Sequence, residues 1–238
     1  MSGRIVICLA LTLALSSCGA RPEGAPQAEA RESQSAGRHR RQRGGEAAGR
    51  FDFYVMSLSW SPGFCATAAG RNDSVQCGPG RRFAFVLHGL WPQYERGGWP
   101  RNCSSEAMDE TLVNSMLNIM PSPKLVAHEW EKHGTCSGLS SKDYFAKSAQ
   151  AFHGIRIPPR YKAPQQQITV SPDELRRDFA AANPKFGDRG IVVLCSGNGR
   201  YLQEVRACLT KELEARPCTA EVLRSACKSE RIIMRPVR

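Results

Sequence analysis

From residue 51 onward the order of apolar and polar side chains outlines a folded domain. Phe51 to Trp60 alternates as a strand does, with Tyr54, Met56, Leu58 and Trp60 on one face, and Pro62-Gly63 ends it. Phe83 to Leu87 is a short apolar run of buried-strand type. It hands His88-Gly89-Leu90-Trp91-Pro92 to a strand end, where a rigid element can present a functional side chain. Glu106 to Met120 carries Met108, Leu112, Met116 and Ile119 at helical spacing and predicts an amphipathic helix stopped by Pro121. Lys124 to His133 predicts a second helix closed by Gly134 as a left-handed cap, and Lys142 to His153 a third, packed through Tyr144, Phe145 and Phe152. Gln166 to Val170 reads as a strand. Ser171-Pro172-Asp173-Glu174 starts a helix, with a capping box and Pro at its first position, that runs to about Ala182. Ile191 to Cys195 and Tyr201 to Leu209 are strands joined through Gly197-Asn198-Gly199, a hairpin turn. No repeat is visible and strands do not alternate regularly with helices. The pattern therefore predicts an α+β fold with a central, mainly antiparallel sheet flanked by several helices.

The residues ahead of this domain follow another rule. Met1 to Arg4 carries one positive charge, and Ile5 to Leu15 is an apolar run too short to span a bilayer, so residues 1–20 read as an export leader. Leu15-Ser16-Ser17-Cys18-Gly19 also has the form of a lipobox, which makes Cys18 a candidate for lipidation and for a membrane anchor. Residues 21–49 are Gly, Ala, Glu and Arg with almost no large apolar side chain, a composition that predicts a disordered basic tether. Its Arg38, Arg40, Arg41 and Arg43 suit either contact with a polyanion or a plain soluble spacer. Residues 50–238 are expected to form one folded domain. The other eight of the ten cysteines beyond Cys8 and Cys18 are Cys65, Cys77, Cys103, Cys136, Cys195, Cys208, Cys218 and Cys227. In an exported domain they suggest four disulfides, whose pairing the spacing leaves open. The expected location is periplasmic or extracellular.

The net charge of +11, only part of which comes from the tether, favours an acidic partner. The chemistry concentrates in His128-Glu129-Trp130-Glu131-Lys132-His133-Gly134-Thr135-Cys136. On a helix the side chains of His128, Glu129, Lys132 and His133 fall within an arc of roughly 140°. Two imidazoles that can give or take a proton, beside fixed charges, suit a reaction in which a proton moves while an anion grows. Three other readings compete. A solvated charged helix face is the ordinary one. A zinc hydrolase would need His-Glu-x-x-His, and here the two His are five apart rather than four. A stapled binding protein would need only the basic face and the aromatics of the loop from Gln93 to Arg101. Trp99 in that loop suits base stacking or the edge of a core.

Together, His88-Gly89-Leu90-Trp91-Pro92 and His128 to Cys136 resemble the two active-site segments of the ribonuclease T2 family, including their spacing of about forty residues. The resemblance implies an endoribonuclease acting on single-stranded RNA. Its products would be a 2′,3′-cyclic phosphate and then a 3′-phosphate, formed without metal or cofactor. By that resemblance His133 accepts the proton of the ribose 2′-OH and His88 supplies one to the departing 5′-oxygen. His128 contacts the phosphate, and Glu129 and Lys132 stabilise its charged pentavalent form. Trp91, Gln93 and Trp99 would bind a base. Where fungal and plant relatives commonly carry Asp or Asn this chain has Gln93, and many have Tyr at the position of Trp99, so weak base preference is expected. The family framework implies the pairs Cys65–Cys77, Cys103–Cys136, Cys195–Cys227 and Cys208–Cys218. A monomer with no obligate protein partner is expected.

Overall fold

The structure is a computed structural model and describes residues 47–237; the leader, Cys18 and most of the expected tether lie outside them. Among the described residues, six strands form one sheet: β1 (Phe53–Trp60), β2 (Phe85–Gln93), β3 (Ile168–Val170), β4 (Ile191–Ser196), β5 (Tyr201–Leu209) and β6 (Ile232–Met234). Their order is β2-β1-β5-β6-β3, with β4 also on β5, and every pair is antiparallel except β5 with β6. The helices are α1 (Ser61–Cys65), α2 (Ala68–Arg71), α3 (Ser74–Cys77), α4 (Leu112–Met116), α5 (Pro123–Lys132), α6 (Ser141–Gly154), α7 (Pro159–Lys162), α8 (Pro172–Ala182) and α9 (Ala220–Arg224). The fold is α+β with a mainly antiparallel sheet.

Alternation along β1 explains the layering. Tyr54, Met56, Leu58 and Trp60 enter the main core with Val126 and Trp130 of α5, Tyr144 and Phe145 of α6, and Leu175 and Phe179 of α8. Phe53 and Val55 face the other side, where a smaller cluster includes Val192, Leu194 and Val222. The hairpin β4–β5 turns through Gly197, Asn198 and Gly199, all at positive φ. Ser171 caps α8 by accepting from the Glu174 backbone N–H at 3.0 Å. The disulfides join Cys65 to Cys77, Cys103 to Cys136, Cys195 to Cys227, and Cys208 to Cys218.

Three local expectations are corrected. The helix expected over 106–120 shrinks to Leu112–Met116. The Cys103–Cys136 bridge and a hydrogen bond from Trp130 Nε1 to the Glu106 carbonyl (2.8 Å) hold the preceding residues in irregular conformation. Asp109 then accepts from the Thr111 N–H at 2.9 Å, immediately ahead of the helix. The loop between Cys65 and Cys77 contains two short helices, capped by the side chains of Thr67 and Asp73. Gly134 has no left-handed backbone. It opens a 3₁₀ turn (Gly134–Cys136), and glycine is required there because a Cβ would run into the Trp130 and Tyr144 rings. His88 does not stand at a strand end, since β2 continues to Gln93. Pro92 within it is tolerated because β2 is an edge strand.

Candidate active site

His88 is the extra residue of a β-bulge. Ser57 pairs with Gly89 and Leu58 with Leu87, so His88 has no partner on β1. A bulge re-aims the side chain it carries, and here His88 Nδ1 meets Glu204 Oε1 of β5 at 2.7 Å. β1, which lies between β2 and β5, presents only Ser57 and Ser59 opposite this contact, leaving room for the ring to reach across. Glu204 is buried, 2% exposed, and Arg206 grips its second oxygen with Nε and a terminal nitrogen at 2.9 and 2.8 Å. Burial alone would raise the Glu204 carboxyl. The hydrogen bond and charge of His88, with the Arg206 fork, hold it instead at about 2. The same pair works in reverse on His88: burial opposes its charged form, but Glu204, helped by Glu129, raises its pKa above the ordinary 6.5.

The helix α5 packs through Val126 and Trp130 and turns Glu129, Lys132 and His133 toward the cleft. Glu129, 1% exposed, accepts from Trp91 Nε1 at 2.7 Å and lies 3.9 Å from His88 Nε2. Gly89 makes this possible, since a Cβ on it would overlap the Glu129 carboxylate and the Trp91 nitrogen. Burial pushes the Glu129 carboxyl up to about 7, against the pull of His88, the Trp91 hydrogen bond and Lys132. His133 caps α5 and is 6% exposed; its Nδ1 is buried without a hydrogen-bond partner. Burial first, then the charges of Lys132, His128 and His88, push its pKa down to about 3.

All eight residues expected at the site line one cleft of about 330 Å³: His88, Trp91, Gln93, Trp99, His128, Glu129, Lys132 and His133. His88 and His133 both touch one indole, with ring centroids 5.1 Å (His88) and 5.5 Å (His133) from Trp91. Trp91 is a wall and a bridge: its N–H is engaged by Glu129, and the Arg206 guanidinium lies 4.9 Å over its ring. Gln93 donates its side-chain N–H to the Pro92 carbonyl at 2.9 Å. Trp99, at 43% exposure, is the one exposed large hydrophobic side chain among the described residues. Among the described residues no three His, Cys, Asp or Glu side chains gather as a metal site would require.

The profile of the Ribonuclease T2 family matches residues 51–218. The chain belongs to the ribonuclease T2 family. It is 37% identical over 206 residues to a ribonuclease of Aeromonas hydrophila, covering 80% of this chain and 88% of that protein. To Ribonuclease I of Escherichia coli it is 23% identical over 219 residues, covering 72% and 80%. The fold is similar to that of an RNase-related protein from Calystegia sepium, with a TM-score of 0.65 at 20% identity over 79% of this chain and 98% of the other. RNase NT in complex with 5′-AMP has a TM-score of 0.55 at 23% identity, over 71% and 90%. Membership makes this chain an endoribonuclease and RNA its substrate.

Two members of the site, Glu204 and Arg206, escape the sequence reading. The available signal is a pair of opposite charges two apart in a mainly apolar strand, hence on one face. Glu221 of α9 is likewise unexpected; its carboxylate accepts from the Gly98 N–H at 2.7 Å and holds the loop that carries Trp99.

Proposed function

We propose that this chain cleaves single-stranded RNA by attack of a ribose 2′-oxygen on the adjoining phosphorus, releasing the 5′-oxygen of the next nucleotide. The observation that carries the reading is that the two imidazoles line one cleft, their rings 5.1 and 5.5 Å from the same Trp91 indole. His133 is neutral over the whole range above about 3 and is fit to accept the 2′-OH proton. His88, whose charged form Glu204 favours and whose ring Glu204 anchors, is fit to donate to the departing 5′-oxygen. As attack proceeds, negative charge grows on the non-bridging phosphate oxygens, and Lys132, His128 and the Glu129–His88 pair supply the charges and donors that meet it. The attack is intramolecular, so proximity is already provided by the substrate. The first product is a 2′,3′-cyclic phosphate; His88 then takes a proton from water, which attacks phosphorus, and His133 returns one to the 2′-oxygen as its bond to phosphorus breaks, leaving a 3′-phosphate.

Glu204 belongs to this scheme as a positioning residue. It accepts the Nδ1–H of His88, so the proton that the imidazolium gives up is the one on Nε2, and Arg206 fixes Glu204. For the base, Trp99 is the exposed ring available for stacking, whereas one N–H of Gln93 is already engaged by Pro92. Weak base preference follows. No step calls for a metal, and the expected localisation is outside the cytoplasm, since four disulfides persist in oxidising compartments. The leader, a lipid anchor at Cys18 and the basic tether remain part of the proposal, decided by comparing membrane and soluble fractions of the chain and its Cys18→Ser variant. The activity is tested by digesting RNA in EDTA and identifying the new ends. Cyclic phosphates are expected; no release between mildly acidic and neutral pH would remove the mechanism.

A further inference from the structure

The cleft has a direction. Trp91 and Gln93 pair with Val55 and Phe53, toward the start of β1, while Glu204 pairs with Ser59 near its end. His88 lies between these two ends. On the reading proposed above, His88 donates to the departing 5′-oxygen, so the departing strand leaves past His88 and Glu204 and the base at the Trp91–Trp99 end belongs to the nucleotide upstream of the cut. This inference rests on that reading.

Beyond Glu204 the sheet is not empty. In β5 the pairs Glu204 with Leu194 and Leu202 with Cys195 leave Gln203 as an extra residue. The bulge inverts the alternation: Leu202 enters the main core, and Tyr201 returns to the face that carries Glu204. Tyr201 stands three residues from Glu204, about 10 Å along the strand. Beside it, β6 runs parallel to β5 with Ile233 level with Tyr201, and Ile232 and Met234 enter the main core. Arg235 comes next. Its carbonyl accepts from Trp60 Nε1 at 3.1 Å, which puts it at the end of β1. Its guanidinium lies 4.4 Å from the centroid of the Tyr201 ring, and that of Arg200, from the β4–β5 turn, lies at 5.4 Å. Arg160, Arg176, Arg177, Arg206 and Arg216 all have carboxylate partners; among the described residues neither Arg200 nor Arg235 has one. Two guanidinium groups held against a ring keep their charge and their outer N–H edges for a ligand, and a phosphodiester fits those edges.

We propose that Arg200, Arg235 and Tyr201 form a subsite for the RNA strand on the 3′ side of the cut, holding a backbone phosphate beyond the first departing nucleotide. The occupant is RNA because the subsite continues the sheet face that holds His88 and Glu204. The test compares kcat/KM for a dinucleotide with that for the same dinucleotide lengthened on its 3′ side or on its 5′ side. In the unmodified protein, 3′ lengthening should raise kcat/KM. In Arg200→Ala/Arg235→Ala that gain should fall by about 1.5- to fivefold for each arginine, with the 5′ gain retained. The salt dependence of binding a 3′-lengthened strand should lose about 0.7 in log–log slope for each contact removed. Arg200→Glu, at an exposed turn, should lose the gain without endangering the fold. Equal 3′ gains in all three proteins would overturn the subsite. So would equal loss of both gains, which marks a general effect of charge, or loss of binding to anionic vesicles alone, which marks a membrane surface. Failure of the unmodified protein to cut the dinucleotide would instead overturn the reading of the active site.

Discussion

Gly89 leaves no space for a methyl group, because the Glu129 carboxylate and the Trp91 indole meet where its Cβ would be. Gly89→Ala should therefore displace Glu129 and lower kcat/KM by about 10²-fold, the cost of misplacing a catalytic group by roughly 1 Å. The circular dichroism spectrum should stay unchanged; full turnover in a folded variant would refute the role given to this contact. Two single residues set the outer limbs of the pH profile, with Glu129 changing charge at about 7 between or beside them. The base must be neutral, so kcat/KM should rise as pH passes about 3, where His133 loses its proton. The acid must be charged, so kcat/KM should fall again only above 6.5, because Glu204 raises His88. Glu204→Gln keeps an acceptor but removes the charge, and the alkaline limb should move to lower pH with the acid limb in place. An alkaline limb that does not move would mean that Glu204 has only a structural role. The histidines, Glu129 and Lys132 were legible in the sequence because their types and spacing are unusual. Glu204 was not, because its partner sits 116 positions away and only the sheet brings them together.

Among the elements, the long amphipathic segments read well: α6, α8 and the β4–β5 hairpin lie where their periodicity places them. Errors gather where tertiary contacts replace local ones. The segment before α4 has a helical pattern, but the Cys103–Cys136 bridge and the Trp130 bond to Glu106 claim it. The bulge at His88 leaves no mark in composition, and Pro92 reads as a stop unless the strand is known to lie at an edge. The bridge carries its own prediction. Cys103→Ala/Cys136→Ala should lose about 2–4 kcal/mol in denaturant unfolding and should lose activity too, since Cys136 follows His133 by one 3₁₀ turn. Unchanged stability would mean that packing alone fixes this corner. Ser57 supplies a contrast: its hydroxyl is buried with no hydrogen-bond partner. Ser57→Ala removes a desolvated polar atom and should leave stability unchanged or raise it by up to about 1 kcal/mol; a clear loss would show that the hydroxyl is bonded after all.

Over the whole molecule, the sheet sorts two tasks onto two faces. One face, with α5, α6 and α8, supplies the main core; the other carries the smaller apolar cluster and the buried Ser57 and Glu204, and borders the cleft through Val55 and Arg206. α5 serves both, through Trp130 on one side and Glu129 and His133 on the other. The α+β class and the pairing of cysteines into four bridges were accessible from the chain, through element order and family resemblance respectively. The direction of the cleft was not, because it depends on strand register. The central claim is that His88 and His133 act on one phosphodiester as acid and base. The most direct test gives His88→Ala and His133→Ala both a dinucleotide and a nucleoside 3′-(nitrophenyl phosphate), whose leaving group needs no proton. His88→Ala should be nearly inactive on the dinucleotide and recover on the nitrophenyl ester, while His133→Ala stays inactive on both. Equal losses by His88→Ala on the two substrates would contradict the account.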